Sequence, residues 1–243
     1  MSLLLTFVAG FTDATTFIAA DKLFSAHVTG NFIVLAYDLI HGADHSEWSK
    51  LLAFPVFVGA VLLAGVLDRR AKNPLRLLRL EGLLLLGAGL AAWVLRWVEP
   101  AGLVAGGMGW PGLEYVAGGG GRTASGFVSA GIRPALEIAL TCIEMTMVVA
   151  MAFQNAYGRL YPKTLYGPTT VMTGNVTSAA LDILPALLIR PYSPEKRALL
   201  RQNAAIIGVF LLGCVAGALL GYRFGLGAAV LPGLLLIGYF CYI

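Results

Sequence analysis

Six long apolar runs recur along the chain, at Leu3–Ala20, Leu51–Leu67, Gly82–Val98, Ile138–Met151, Ala204–Gly221 and Ala228–Ile243. Most come close to the roughly 20 residues that a helix needs to cross a bilayer. Charge is too scarce to clothe such runs in water. Only 12% of residues are charged and 58% are hydrophobic, where soluble domains carry roughly 25% charge. The mean hydropathy of +0.80 points the same way. A membrane barrel would show short strands alternating with polar lumen positions, and that pattern is absent. The predicted class is an all-α integral membrane protein. The first run contains Asp13 and lacks a basic leader and a small-residue cleavage site, so it belongs to the mature structure and not to a signal peptide.

The net charge of +4 is concentrated in basic clusters beside the predicted helix ends. That distribution orients a membrane protein and does not make a nucleic-acid face. Cys142, Cys214 and Cys241 lie in or beside apolar runs with no CxxC spacing and no neighbouring histidine pair. They read as packing residues, and no metal site or cofactor is predicted.

The chain also repeats itself. Ala26-His-Val-Thr-Gly-Asn-Phe-Ile-Val-Leu-Ala-Tyr-Asp38 returns as Thr170-Val-Met-Thr-Gly-Asn-Val-Thr-Ser-Ala-Ala-Leu-Asp182. Phe11-Thr-Asp13-Ala precedes the first copy as Phe153-Gln-Asn155-Ala precedes the second, two residues further away. After each copy comes a glycine-containing helix ending in arginine, with Gly59 to Arg69 and Gly213 to Arg223 at the same separation. Three features in one order divide the chain into a first membrane repeat at 1–99, a glycine-rich external linker at 100–132 and a second membrane repeat at 133–243.

Gly10-Phe-Thr-Asp13 followed by Phe24-Ser-Ala-His27-Val-Thr-Gly-Asn31 resembles the signature of the YoaK-like family of bacterial multi-span membrane proteins. The resemblance covers nearly the whole chain outside the glycine-rich segment Pro100–Gly131. It implies about six spans and carries no established activity.

Loop charge chooses between two topologies. Arg69, Arg70, Lys72, Arg76 and Arg79 form one basic loop, and Arg190, Lys196, Arg197 and Arg201 form another. If both Thr-Gly-Asn segments cross fully, these loops fall on opposite sides. If each segment instead enters and leaves by one face, both loops are cytoplasmic, as the positive-inside bias requires. Arg159 and Lys163 agree with this arrangement, and Arg223 does not. The predicted fold is therefore two inverted three-span repeats, each with a re-entrant or broken half-helix at its Thr-Gly-Asn motif, in the bacterial inner membrane with a cytoplasmic N-terminus. Inverted repeats with interrupted helices recur in secondary transporters.

Segments Phe24–Leu39 and Thr169–Leu184 carry more polar groups than lipid tolerates, and irregular backbone at membrane depth must be buried in protein or line a wet cavity. Gly30 and Gly174 are expected to supply the turn, and the short helices that follow to open on unpaired N–H groups able to hold an anion or polar group. Thr29, Asn31, Thr173 and Asn175 either complete a substrate site there or cap the half-helices. His27, present only in the first half, is a ligand or a structural histidine. Asn155 joins the candidate substrate-binding set as the counterpart of Asp13. Asp13 and Glu144, the deepest acids in predicted spans, are the proton-coupling candidates, with a fixed interhelical hydrogen bond as the alternative for each. Asp38 and Asp182 read as helix-end groups, Glu81 as a partner of the adjacent basic loop, and Gly59, Gly65, Gly213 and Gly217 as close-packing positions.

No nucleophile–base pair, metal cluster or nucleotide fingerprint is visible, so an enzyme is not expected. The leading reading is a secondary transporter of a small polar or anionic solute, with Asp13 or Glu144 as the candidates for coupling it to protons. A passive channel and a non-transporting scaffold or sensor are the alternatives. Expected partners are the lipid bilayer and a small-molecule solute, and oligomeric state is left open.

Overall fold

A computed structural model describes residues 1–41, 47–71, 73, 75–98, 125–162, 172–188 and 193–242. The described residues form α1 (Ser2–Ala19), α2 (Gly30–His41), α3 (Glu47–Ala71), α4 (Arg76–Val98), α5 (Ser125–Leu160), α6 (Met172–Leu188), α7 (Pro194–Phe224), a 3-10 turn at Gly225–Ala229, and α8 (Val230–Tyr242). Five segments are long and apolar enough to cross a membrane: Ser2–Ala19, Trp48–Arg70, Arg76–Arg96, Ala135–Leu160 and Pro194–Phe240. The last holds both α7 and α8, which reverse at Gly225, a glycine with φ of 60°. The exterior is apolar: Leu62, Leu211, Leu212 and Leu219 are each more than 60% exposed. A soluble domain does not present apolar patches of that extent, whereas a lipid-embedded one does.

Small residues bring α1 and α7 together. A Cβ added at Gly213 would lie 2.4 Å from the Phe7 carbonyl oxygen, and one at Gly217 would lie 2.2 Å from that of Phe11. Gly10 reciprocates against the Phe210 carbonyl, and Thr15 Oγ1 donates to the Gly217 carbonyl at 3.2 Å. Contacts advance together along both chains, so the two helices run parallel. Van der Waals contact of this kind replaces the hydrophobic drive that lipid removes.

Between the halves, α3 also packs on α5. Ser49 bonds Glu144 at one end of that pair, and the Tyr161 hydroxyl donates to Asp68 at the other. These helices are therefore also parallel. The Asp68 carboxylate holds the Tyr161 hydroxyl above the ordinary tyrosine pKa, chiefly through that hydrogen bond. The buried stripe Ala53, Ala60 and Ala64 of α3 matches Ile206, Gly213 and Gly217 of α7 in spacing. Gly59 and Gly65 meet nothing within 4 Å, so the close-packing role expected of them belongs to the alanines.

Helices α4 and α8 cross antiparallel through a reciprocal contact. Gly82 faces Leu236 and Ile237, while Gly233 faces Leu86. Gly82-Leu-Leu-Leu-Leu-Gly87 and Gly233-Leu-Leu-Leu-Ile-Gly238 are matching segments, a fourth repeat that joins the three recognised above. The segment 100–132 lies outside the described residues as far as residue 124, and α5 already begins at Ser125.

Candidate functional site

The first half has a sharp break between α1 and α2, and its geometry follows from two non-glycine residues. Asp21 and Lys22 adopt φ of 45° and 65°, a left-handed conformation that costs a side-chain-bearing residue on the order of 1–3 kcal/mol. The turn brings residues 23–28 back alongside α1. Asp13, only 3% exposed, receives them there. Its Oδ1 accepts the backbone N–H of Ser25 at 2.8 Å, that of Ala26 at 2.6 Å and the Ser25 hydroxyl at 3.2 Å. Its Oδ2 is in contact with Nδ1 of His27, whose side chain is about one-third exposed. Thr16 adds a hydroxyl contact to Ser25.

Asn31 closes the same turn from the other side. Its Oδ1 accepts the Phe24 N–H at 2.8 Å and its Nδ2 donates to the Phe24 carbonyl at 2.9 Å, with the side chain 1% exposed. Both ends of the amide are thus engaged by one backbone unit. Gly30 begins α2, and a Cβ there would lie 2.9 Å from the Phe24 ring. The glycine makes room for the ring, and the bend expected of Gly30 is made at Asp21 and Lys22 instead. Nor does α2 open on unpaired N–H groups. Gly30, Asn31 and Phe32 donate to the carbonyls of His27, Val28 and Thr29. Short i→i+3 bonds have consumed the donors that an anion would use.

His27 sets its ring edge-on to Phe210 of α7, with centroids 5.8 Å apart. Ala26 packs with Ala9, Met151 and Phe210. The Asp13–His27 pair therefore sits where α1, the returning segment, α5 and α7 meet. Thr29 is exposed beside it.

In the second half, Thr173 and Gly174 are exposed in the first turn of α6 and Asn175 is buried. The Thr173 carbonyl accepts from the Thr177 hydroxyl at 2.9 Å. Asn155, the counterpart of Asp13, donates to the Met151 carbonyl at 3.0 Å. The approach to α6 spans residues 163–171 and lies outside the described residues. Helix α2 packs on α3, and α6 packs on α7.

Glu144 belongs to a separate cluster. Lys50, whose side chain is fully enclosed, donates to Asp21 at 2.9 Å and to Asp38 at 2.6 Å, and Lys22 lies 3.6 Å from Asp38. Glu144 bonds Ser49 and lies within electrostatic reach of Asp21 and Lys50. Asp38, read from sequence as a solvated helix-end group, is instead the partner of a buried ammonium. Lys50 was missed because it stands just before an apolar run, where a lysine ordinarily snorkels to the headgroups. In the α3–α7 register Lys50 occupies the place of Asn203, which is also buried. That pairing of a cation with a neutral amide breaks the symmetry of the halves.

Glu81 differs most from expectation. It is 0% exposed, and among the described residues neither carboxyl oxygen has a hydrogen-bond partner, so the pairing expected with the basic loop is not found there.

No curated protein and no solved structure matches the chain. The family model described as a protein of unknown function, DUF1275, matches residues 1–242. A helical, membrane-type chain with this match over almost its whole length belongs to the DUF1275 family.

Proposed function

We propose that the protein is a proton-coupled secondary carrier of a small polar solute, built as two inverted repeats. Reciprocal packing supports the inverted arrangement. The first helix of each half runs parallel to the third helix of the other, α1 with α7 and α5 with α3, and α4 crosses α8 antiparallel. Arg96 of α4 reaches the Arg223 carbonyl, which puts the ends of α4 and α7 at one side. Because α4 begins only five residues after α3 ends, the two spans run opposite ways, and so do α3 and its counterpart α7. The positive-inside bias then assigns the Arg69–Arg79 and Arg190–Arg201 segments to the cytoplasm, and with them the N-terminus of α1, in an inner membrane.

One observation carries the functional reading: a buried carboxylate, Asp13, holds the backbone of the α1–α2 break through two N–H groups while paired with a partly exposed histidine. Protonating Asp13 weakens the acceptor that fixes residues 25 and 26, so the charge state of the pair and the position of the re-entrant segment are linked. An acid in a membrane interior is a functional group by default, and one that holds a backbone break converts proton binding into movement. Thr29 at this break and Thr173 and Gly174 in the first turn of α6 offer the polar surface for solute, with the buried Asn31 and Asn175 beside them. Glu144 serves as a second proton-binding acid. Asp21 and Asp38 already balance Lys22 and Lys50, which leaves Glu144 with no cation of its own.

The test is uptake into proteoliposomes from a panel of small polar solutes under an inward proton gradient, with internal pH followed by a trapped dye. A transported solute should carry protons inward, saturate and show counterflow. Asp13→Asn should abolish the proton movement. Equal proton-coupled uptake by the native and Asp13→Asn proteins would refute the assignment.

A further inference from the structure

Glu81 lies on α4 between Leu77, Leu78 and Leu85, each at most 1% exposed, and is itself wholly enclosed. Its neighbour Gly82 is pressed against Leu236 and Ile237 of α8. Neither carboxyl oxygen has a hydrogen-bond partner among the described residues. The elements packed against α4 are α3, α5, the Gly225–Ala229 turn and α8. Among the described side chains, their charged and titratable groups are engaged or exposed. On α3, Lys50 is held by Asp21 and Asp38, Asp68 by Tyr161, and Arg69 and Arg70 are exposed. On α5, Glu144 is bonded to Ser49, Tyr157 points to Met1, and Glu137, Cys142 and Arg159 are exposed. The turn carries none, and on α8 Tyr239 is exposed, while the side chains of Cys241 and Tyr242 lie outside the described residues.

An ionised carboxylate in such a place would meet a desolvation penalty of several kcal/mol with no cation or donor to offset it. A group so placed neutralises instead. We propose that Glu81 is a proton-binding site, a carboxylic acid that carries an exchangeable proton in the packed state of α4 and α8. The argument rests on the packing of α4 alone and stands whether or not Asp13 couples transport. It also adds a station at a different depth. Phe11 meets α7 at Gly217 and Thr15 meets it at Gly221, and the Arg96 guanidinium reaches the Arg223 carbonyl, so Asp13 lies toward the Arg96 end of α4. Glu81 stands near the opposite end, beside the Arg69–Arg79 segment. A proton crossing this protein would have Asp13 toward one face and Glu81 toward the other.

Infrared spectroscopy of the protein in lipid bilayers at neutral pH tests the assignment. A carbonyl stretch of protonated carboxylic acid should appear above the amide band, move to lower frequency in D2O, persist in Glu144→Gln and in Asp13→Asn, and disappear when Glu81→Gln is added to Glu144→Gln. Because glutamine copies the shape and charge of a protonated glutamate, Glu81→Gln should fold with little change in unfolding temperature. Should it fail to fold, 13C-glutamate labelling of the Glu144→Gln protein assigns the band, since exposed glutamates are ionised at neutral pH and contribute none. A band that neither shifts with the label nor vanishes when Glu81→Gln is added to Glu144→Gln would overturn the proposal. So would loss of an ionised carboxylate band in Glu81→Gln.

Discussion

Replacing Gly217 by alanine should drive α1 and α7 apart, and the coordinates set the scale. The new Cβ would stand 2.2 Å from the Phe11 carbonyl oxygen and 2.8 Å from Phe11 Cα, while real Cβ atoms essentially never approach closer than 3.0 Å. The obstacle is backbone, so no rotamer change relieves it. The helices must separate by about 0.8 Å here, a gap that forfeits roughly a quarter to a half of the dispersion energy of the contacting atoms. The Thr15 to Gly217 hydrogen bond, already 3.2 Å long, would stretch beyond bonding distance. Its loss costs about 1 kcal/mol. Overpacking adds about 1–3 kcal/mol. Alanine's better helix propensity returns about 1 kcal/mol. The net destabilisation is about 1–3 kcal/mol. Gly208 on the same helix faces open space, so Gly208→Ala should be neutral or stabilising by up to about 1 kcal/mol. Unfolding of the purified protein in mild detergent, followed by circular dichroism against added denaturing detergent, reads both. If the two alanines behaved alike, the parallel α1–α7 contact would be wrong.

Three further outcomes follow from the site. Asp13→Ala strands two buried N–H groups and should cost about 3 kcal/mol, whereas Asp13→Asn keeps an acceptor for them and should cost about 1 kcal/mol; equal losses in unfolding experiments would argue against the backbone-holding role. Lys50→Met leaves Asp38 with Lys22, at 3.6 Å and partly exposed, as its remaining cation and should cost about 3 kcal/mol, near the low end for a broken buried pair because Asp21 is half exposed. Adding Asp38→Asn should recover at least half of that loss in a double-mutant cycle. Asn31→Ala removes both bonds to Phe24 and should cost about 2 kcal/mol, with faster proteolysis at the α1–α2 break as a second readout.

The helices were legible because composition and run length dominate in a membrane chain, and the body of each of the six apolar runs is helical. The Thr-Gly-Asn repeat was legible as well, since α2 begins at Gly30 and α6 at Met172. What sequence did not disclose is which side chain meets which. Lys50 takes its partners from 12 and 29 residues away, on elements whose approach depends on the turn at Asp21 and Lys22. Glu81 adjoins a basic loop along the chain, yet the helical period rotates it onto the face of Leu77, Leu78 and Leu85. Gly59 and Gly65 show the converse. A glycine marks a place where helices are able to approach, and in α3 the approach is made on the neighbouring alanine stripe.

The account depends above all on the two Thr-Gly-Asn segments entering the bilayer from opposite faces, and single-cysteine accessibility measures this directly. With Cys142, Cys214 and Cys241 replaced by serine, Thr29→Cys and Thr173→Cys would be labelled in oriented vesicles by a membrane-impermeant maleimide. Thr29→Cys should react only from the periplasmic side and Thr173→Cys only from the cytoplasmic side. Reaction of both from the same face would contradict the inverted repeat and the carrier mechanism built on it.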